Sequence, residues 1–124
     1  WAYTYEPGGA DQRAAEEAYA LYLGENALDP TTFPSTLRIE TEVVRMVSGL
    51  LQGDDSAAGN CTSGGTESIL CAMKTARDWA RVHKPHVTAP EIVFPQTAHA
   101  AFYKAAHYLG LKPVAAPFDP LTFR

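Results

Sequence analysis

The run Glu91-Ile92-Val93-Phe94-Pro95, a helix-forming stretch after it and a second extended stretch beyond that constrain the fold more than any other part of this sequence. Glu91–Phe94 reads as a short buried strand ended by Pro95, whose nitrogen carries no proton for a sheet ladder. Ala98, Phe102, Ala105 and Leu109 then recur at helical spacing, and Gly110 closes that helix. Lys112 to Phe118 is extended again. Strand, helix and strand of these lengths normally close as a right-handed parallel crossover. The expected class is α/β, with ligands at the carboxyl ends of the strands, where helix N-termini converge.

Upstream, Ala14, Ala18 and Leu21 predict a first helix over residues 10–23, ended by Gly24. Asn26, Asp29, Pro30 and Pro34 make residues 25–34 a loop. Ile39, Val43, Met46 and Leu50 give residues 35–52 one apolar face, with Gly53-Asp54-Asp55 as the stop. A further helix opens at the Gly64-Gly65 turn and runs to about Arg81, with Ile69, Met73, Ala76 and Ala80 as its core face. No internal repeat or low-complexity tract interrupts the chain.

At 124 residues, 46% apolar and 19% charged, the chain has the composition of an ordinary soluble globular protein. Its formal charge of −4, with the Lys and Arg residues scattered, excludes a basic footprint for nucleic acid. No apolar stretch approaches the roughly 20 residues that span a bilayer, and residues 1–9 lack the features of a signal peptide. A soluble, cytoplasmic protein is expected. Cys61 and Cys71 form no Cys-x-x-Cys pair and no metal-ligand spacing with His83, His86, His99 or His107. They read as reduced packing residues, the histidines at 83 and 86 read as surface residues, and no metal site is expected.

Residues 60–70, Asn-Cys-Thr-Ser-Gly-Gly-Thr-Glu-Ser-Ile-Leu, have the make-up of an anion cradle. Gly64 and Gly65 let the backbone bend sharply and approach a ligand closely, while the N–H groups opening the next helix lack intrahelical partners. A phosphate suits such a site, with Ser63, Thr66 and Ser68 as further donors. The absence of a Gly-Lys-Ser/Thr ending argues against a nucleotide P-loop. One phosphate monoester is the expected occupant. His99, just past the strand that ends at Phe94, lies at the same carboxyl end of the strands.

Thr62–Leu70, Pro95-Gln96-Thr97-Ala98-His99-Ala100-Ala101-Phe102 and Lys104-Ala105-Ala106 together closely resemble the sphingosine-1-phosphate lyase branch of the pyridoxal-phosphate-dependent group II decarboxylase superfamily. The resemblance continues upstream through Asn26-Ala27-Leu28-Asp29-Pro30, Phe33-Pro34 and Arg38-Ile39-Glu40, and so covers essentially the whole chain. It implies part of the large domain of a PLP-dependent, aminotransferase-like (fold type I) enzyme. An N-terminal segment of about residues 1–55 would be followed by the start of the PLP-binding large domain, about 56–124. The cofactor implied is pyridoxal 5'-phosphate, bound through Ser63, Gly64, Gly65 and Thr66, with His99 over its ring as a catalytic residue. Tyr5, Asn26 and Asp29 match positions near the family's active-site entrance and are the implied substrate-binding residues. The implied partners are a small amine or amino-acid substrate and a second subunit of a homodimer.

Two departures qualify these roles. The phosphate-handling lyases carry histidine where this chain has Asp29, and a carboxylate there repels a substrate phosphate. An unphosphorylated substrate is therefore expected, with sphingosine-1-phosphate-like cleavage as the runner-up. The family's cofactor-bearing lysine and its aspartate partner also fall outside this sequence, since Lys74, Lys84, Lys104 and Lys112 do not stand in that context. The chain is thus expected to be an N-terminal-side piece of an enzyme, inactive alone. A non-catalytic anion-binding or interaction fragment of the same fold is the alternative.

Overall fold

A computed structural model describes residues 8–122, so the expected role of Tyr5 lies outside the described residues. The order is α1 (Gly9–Leu21), α2 (Pro34–Leu50), α3 (Gly65–His83), β1 (Glu91–Pro95), α4 (Ala100–Leu109) and β2 (Lys112–Ala116). Every element expected from the sequence is present. They fall into two compact units that meet in sequence between Cys61 and Thr62.

In the first unit, α2 begins with Pro34, whose fixed φ and missing amide proton suit the first turn of a helix. It ends in a double bond-back: Gln52 N–H donates to the Gly49 carbonyl at 3.2 Å and Gly53 N–H to that of Ser48 at 2.8 Å. The left-handed residue of this motif is Gln52, at φ 60, rather than the glycine after it. A Cβ at Gly53 would run into the Ser48 hydroxyl, which would have to turn aside, and would lie close to the Ala57 side chain.

The apolar stripe expected to be buried on α2 is not. Ile39 and Val43 are each 42% exposed, Met46 65% and Leu50 83%. Partial cover falls instead on Thr36, Glu40, Val44 and Ser48, one face over. Ala14, Ala18 and Leu21 on α1 are likewise exposed. Beside α2 an open groove of about 450 Å³ is lined by Val43, Val44, Val47, Leu51, Ala57 and Cys61. Cys61 and Cys71 are both unpaired, as expected, but exposed, so neither is a packing residue here.

In the second unit, β1 and β2 pair in parallel from Glu91↔Lys112 to Pro95↔Ala116, with α4 as the crossover. Pro95 is the last paired residue of β1, and the ladder is carried on by Gln96 N–H donating to the Ala116 carbonyl at 2.9 Å. Gly110 takes the left-handed conformation at φ 65 that ends α4, and Leu111 N–H bonds back to Ala106 at 2.9 Å. That turn drops Leu111 into a small core with Met73, Ala105 and Ala106. Ile69, Leu70, Ile92, Phe102 and Leu109 surround it. Ala105 and Ala106 are fully enclosed, and their small side chains let α3 lie close against α4. Phe94 is buried against Phe102 and, edge-on at 4.7 Å between ring centres, Tyr103. Val93 remains 66% exposed, so β1 is covered on one face among the described residues rather than buried on both.

This packing sets the direction of both helices. Arg77 on α3 donates to the carbonyl of Leu109, the last residue of α4, at 3.4 Å, and residues 84–90 lead α3 into the start of β1. The C-terminal halves of α3 and α4 therefore gather at the amino ends of the strands. From that shared point, ~18 Å of α3 leads back to Gly65 and ~15 Å of α4 to His99. Both N-termini lie at the carboxyl ends of the strands.

Candidate functional site

α3 starts without a side-chain cap. Gly64 is extended, at φ 160 and ψ 176, and the first amide to bond back into the helix is that of Ser68, to the Gly64 carbonyl at 3.1 Å. The N–H groups of Gly65, Thr66 and Glu67 have no acceptor among the described residues, and neither does the Thr66 hydroxyl have a partner. Neither glycine is left-handed, and a Cβ on either would meet nothing within 4 Å. The chain bends at Ser63 and Gly64, as expected, without a left-handed residue, and the glycines leave bare space over the helix start.

The other hydroxyls around the turn are spent locally. Ser63 donates both its N–H, at 2.7 Å, and its hydroxyl, at 2.6 Å, to Oε2 of Glu67. Thr62 donates to the Gly64 carbonyl at 3.0 Å and shares a hydrogen bond with Ser68 at 2.6 Å. The two Ser63 donors hold the Glu67 carboxyl below the usual glutamate range. Of the expected donors Ser63, Thr66 and Ser68, Thr66 alone retains an uncommitted hydroxyl. Three amide donors, one hydroxyl and the positive end of a helix match the oxygens and charge of one phosphate group.

His99 is the N-cap of α4. Its Nδ1 accepts the N–H of Ala101 at 3.1 Å, which places the proton of the neutral ring on Nε2 and fixes the ring edge-on to the helix start. The ring is exposed. Gly64–Thr66 and His99 thus share one end of the second unit.

Asn26 and Asp29 lie in the loop of the first unit, and both shape it. Asn26 Oδ1 accepts the Leu28 N–H at 3.0 Å. Asp29 Oδ1 accepts the hydroxyl and N–H of Thr31, at 2.6 and 2.9 Å, while Oδ2 accepts the Thr32 hydroxyl at 3.1 Å. The Thr31 bonds lead in holding the Asp29 carboxyl below the usual aspartate range, so it stays charged at neutral pH. Among the described residues no His, Cys, Asp or Glu group has the form of a metal site, and no helix is long and apolar enough to cross a membrane.

Two local determinants escape a reading of the sequence. Glu67 follows Ser63 by four positions, one more than the capping-box spacing that flags such pairs. Glu40, which accepts the Cys61 N–H at 2.6 Å, is separated from it by the rest of α2 and a loop.

A parallel crossover whose helix starts lie at the carboxyl ends of its strands is an α/β arrangement, and in open α/β sheets ligands bind at that end. No protein-family model matches the chain. It is 44% identical over 108 residues to the sphingosine-1-phosphate lyase of Dictyostelium discoideum, an alignment covering 87% of this chain and 20% of that protein. It is 39% identical over 106 residues to the L-aspartate/L-glutamate decarboxylase of Pyrococcus horikoshii, covering 86% of this chain and 26% of that one. Among solved structures, a sphingosine-1-phosphate lyase of Burkholderia pseudomallei matches with a TM-score of 0.83 at 38% identity, over 98% of this chain and 29% of that chain. The chain belongs to the sphingosine-1-phosphate lyase-like branch of the group II decarboxylase superfamily and has an α/β fold of the fold type I class. It spans about a fifth of the length of the lyase from Dictyostelium.

Proposed function

We propose that this chain is the phosphate-anchoring segment of a pyridoxal-phosphate-dependent lyase that cleaves a carbon–carbon bond of, or decarboxylates, an amine or amino-acid substrate. The observation that carries this reading is the set of donors at the start of α3, three amides and the Thr66 hydroxyl without acceptors among the described residues, on a chain homologous to such lyases. When bound, pyridoxal 5'-phosphate supplies an electron sink for the pair released as a bond at the substrate Cα breaks. Gly65, Thr66 and Glu67 amides and the Thr66 hydroxyl hold its phosphate. His99, held edge-on by the Ala101 amide, presents a ring face for stacking and an Nε2–H as donor.

In this reading the covalent anchor is none of the four lysines of this sequence. Lys74 pairs with Asp78 and Lys112 with Glu91, each at 2.7 Å, while Lys84 and Lys104 lie against the Trp79 and Tyr108 rings. Asn26 and Asp29 border the substrate in this reading, and the charged Asp29 favours an unphosphorylated amine or amino acid over a phosphorylated long-chain base. The whole enzyme is a homodimer in which further strands and the second subunit cover the bare faces of β1 and α2.

The test is an absorbance titration of the full-length protein with pyridoxal 5'-phosphate. Thr66→Val removes the one uncommitted hydroxyl and is expected to weaken binding about tenfold. An unchanged dissociation constant counts against the assignment. Borohydride trapping decides the alternative: cofactor fixed on a lysine beyond Arg124 supports the enzyme. Phosphate binding with no lysine trapped in the whole protein supports a non-catalytic anion-binding module.

A further inference from the structure

We propose that Glu67 is a positioning residue for the cradle, pinning Ser63 so that the turn is already set for an anion before one arrives; this rests on the cofactor reading above. Both donors of Ser63 converge on the single oxygen Oε2 of Glu67. A residue held by its amide and its hydroxyl at once has neither end free to rotate. Ser63 directly precedes Gly64 and Gly65, which have no side chains to restrain them and open space around them. Without the clasp, the most pliable residues of the chain would sit at the point where backbone amides must aim at one ligand.

The clasp also settles which groups meet the ligand. Ser63 spends its protons on Glu67, and Thr62 and Ser68 bond to one another, so these three hydroxyls act on the turn instead of on the anion. A carboxylate this close to an anion site is tolerable because its charge is taken up by two donors and by the helix start on which it stands. Glu67 thus trades electrostatic attraction for geometry: it lowers the positive potential of the helix end and fixes the direction of the remaining amides. Glutamine at this position keeps an oxygen acceptor of the same reach and removes the charge.

The experiment uses the full-length protein, with hydrogen exchange of the Ser63 amide read without cofactor and pyridoxal 5'-phosphate affinity read by titration. In Glu67→Ala, Ser63 exchange is expected to rise and affinity to fall, each about tenfold, as for loss of a charge-assisted bond. Glu67→Gln is expected to restore both to within about twofold, since it rebuilds the acceptor. Ser63→Ala, which keeps the amide bond and loses the hydroxyl bond, is expected to fall between and serves if Glu67→Ala does not fold. Wild-type affinity in Glu67→Ala or in Ser63→Ala overturns the positioning role and leaves the cofactor reading standing. So does failure of Glu67→Gln to rescue, which would assign the effect to charge. A wild-type protein that does not bind pyridoxal 5'-phosphate overturns the cofactor reading itself, and the positioning role with it.

Discussion

Glu40 and Cys61 lie 21 residues apart, yet the Glu40 carboxylate accepts the Cys61 amide proton at 2.6 Å. The bond ties the middle of α2 to the residue that leads into Thr62 and the glycine turn. Glu40→Ala is expected to cost about 1–2 kcal/mol by chemical denaturation and to speed exchange of the Cys61 amide, because a charge-assisted acceptor is lost. Unaltered exchange at Cys61 would mean that the contact does not persist in solution.

The left-handed residues at the ends of α2 and α4, Gln52 and Gly110, should respond to substitution in opposite directions. Gly110→Ala places a Cβ at φ 65 and is expected to destabilise by about 1 kcal/mol. Gln52→Gly relieves the same strain at φ 60 and should stabilise by roughly 0.5–1 kcal/mol, as the strain removed exceeds the added freedom of the unfolded chain. Thermal and denaturant midpoints of the two variants check the signs.

The loop closed by Asp29 should loosen in acid. Its folded-state pKa is depressed by the Thr31 and Thr32 bonds, so its contribution is complete above the ordinary aspartate value and is lost as pH falls through the lower, folded one. The Thr31 amide shift is therefore expected to titrate with a midpoint below that of an unstructured aspartate. A midpoint at or above it would show that the Thr31 and Thr32 bonds do not form.

Substrate choice should follow the same side chain. With the full-length protein, Asp29→His is expected to raise turnover of a phosphorylated long-chain base relative to unphosphorylated amines by about tenfold or more, as one repulsion becomes one attraction. Efficient cleavage of the phosphorylated base by wild type, unimproved by histidine, would overturn the assignment of Asp29 as a selector.

The crossover was readable because its signals are local. Gly110 ends α4 through its own backbone conformation, and Pro95 stands at the last rung of β1. Burial was less readable: the spacing of Ile39, Val43, Met46 and Leu50 records an apolar face but not what covers it, and among the described residues that face is bare. The helix start at Gly64–Thr66 was marked by its composition, but not the fate of its hydroxyls: Ser63 and Ser68, expected as donors to an anion, are bonded within the turn. Gly64 and Gly65 mark the bend, but the bonds that hold it come from Glu67, Thr62 and Ser68, whose pairings depend on side-chain directions that no spacing rule encodes. The clasp from Glu40 spans too much intervening chain to leave a local trace.

Because α3 and α4 run in the same sense, like ends of two helix dipoles stand side by side, each worth about half a positive charge. Such a pair is an electrostatic debt that an arriving anion cancels. An anion held there would link occupancy to folding of the second unit, so the melting temperature is expected to climb with the logarithm of free phosphate once the dissociation constant is exceeded, but not with equal concentrations of a neutral solute. In that test the tight seam at Ala105 and Ala106 is the packing whose heat resistance would register occupancy at the helix ends.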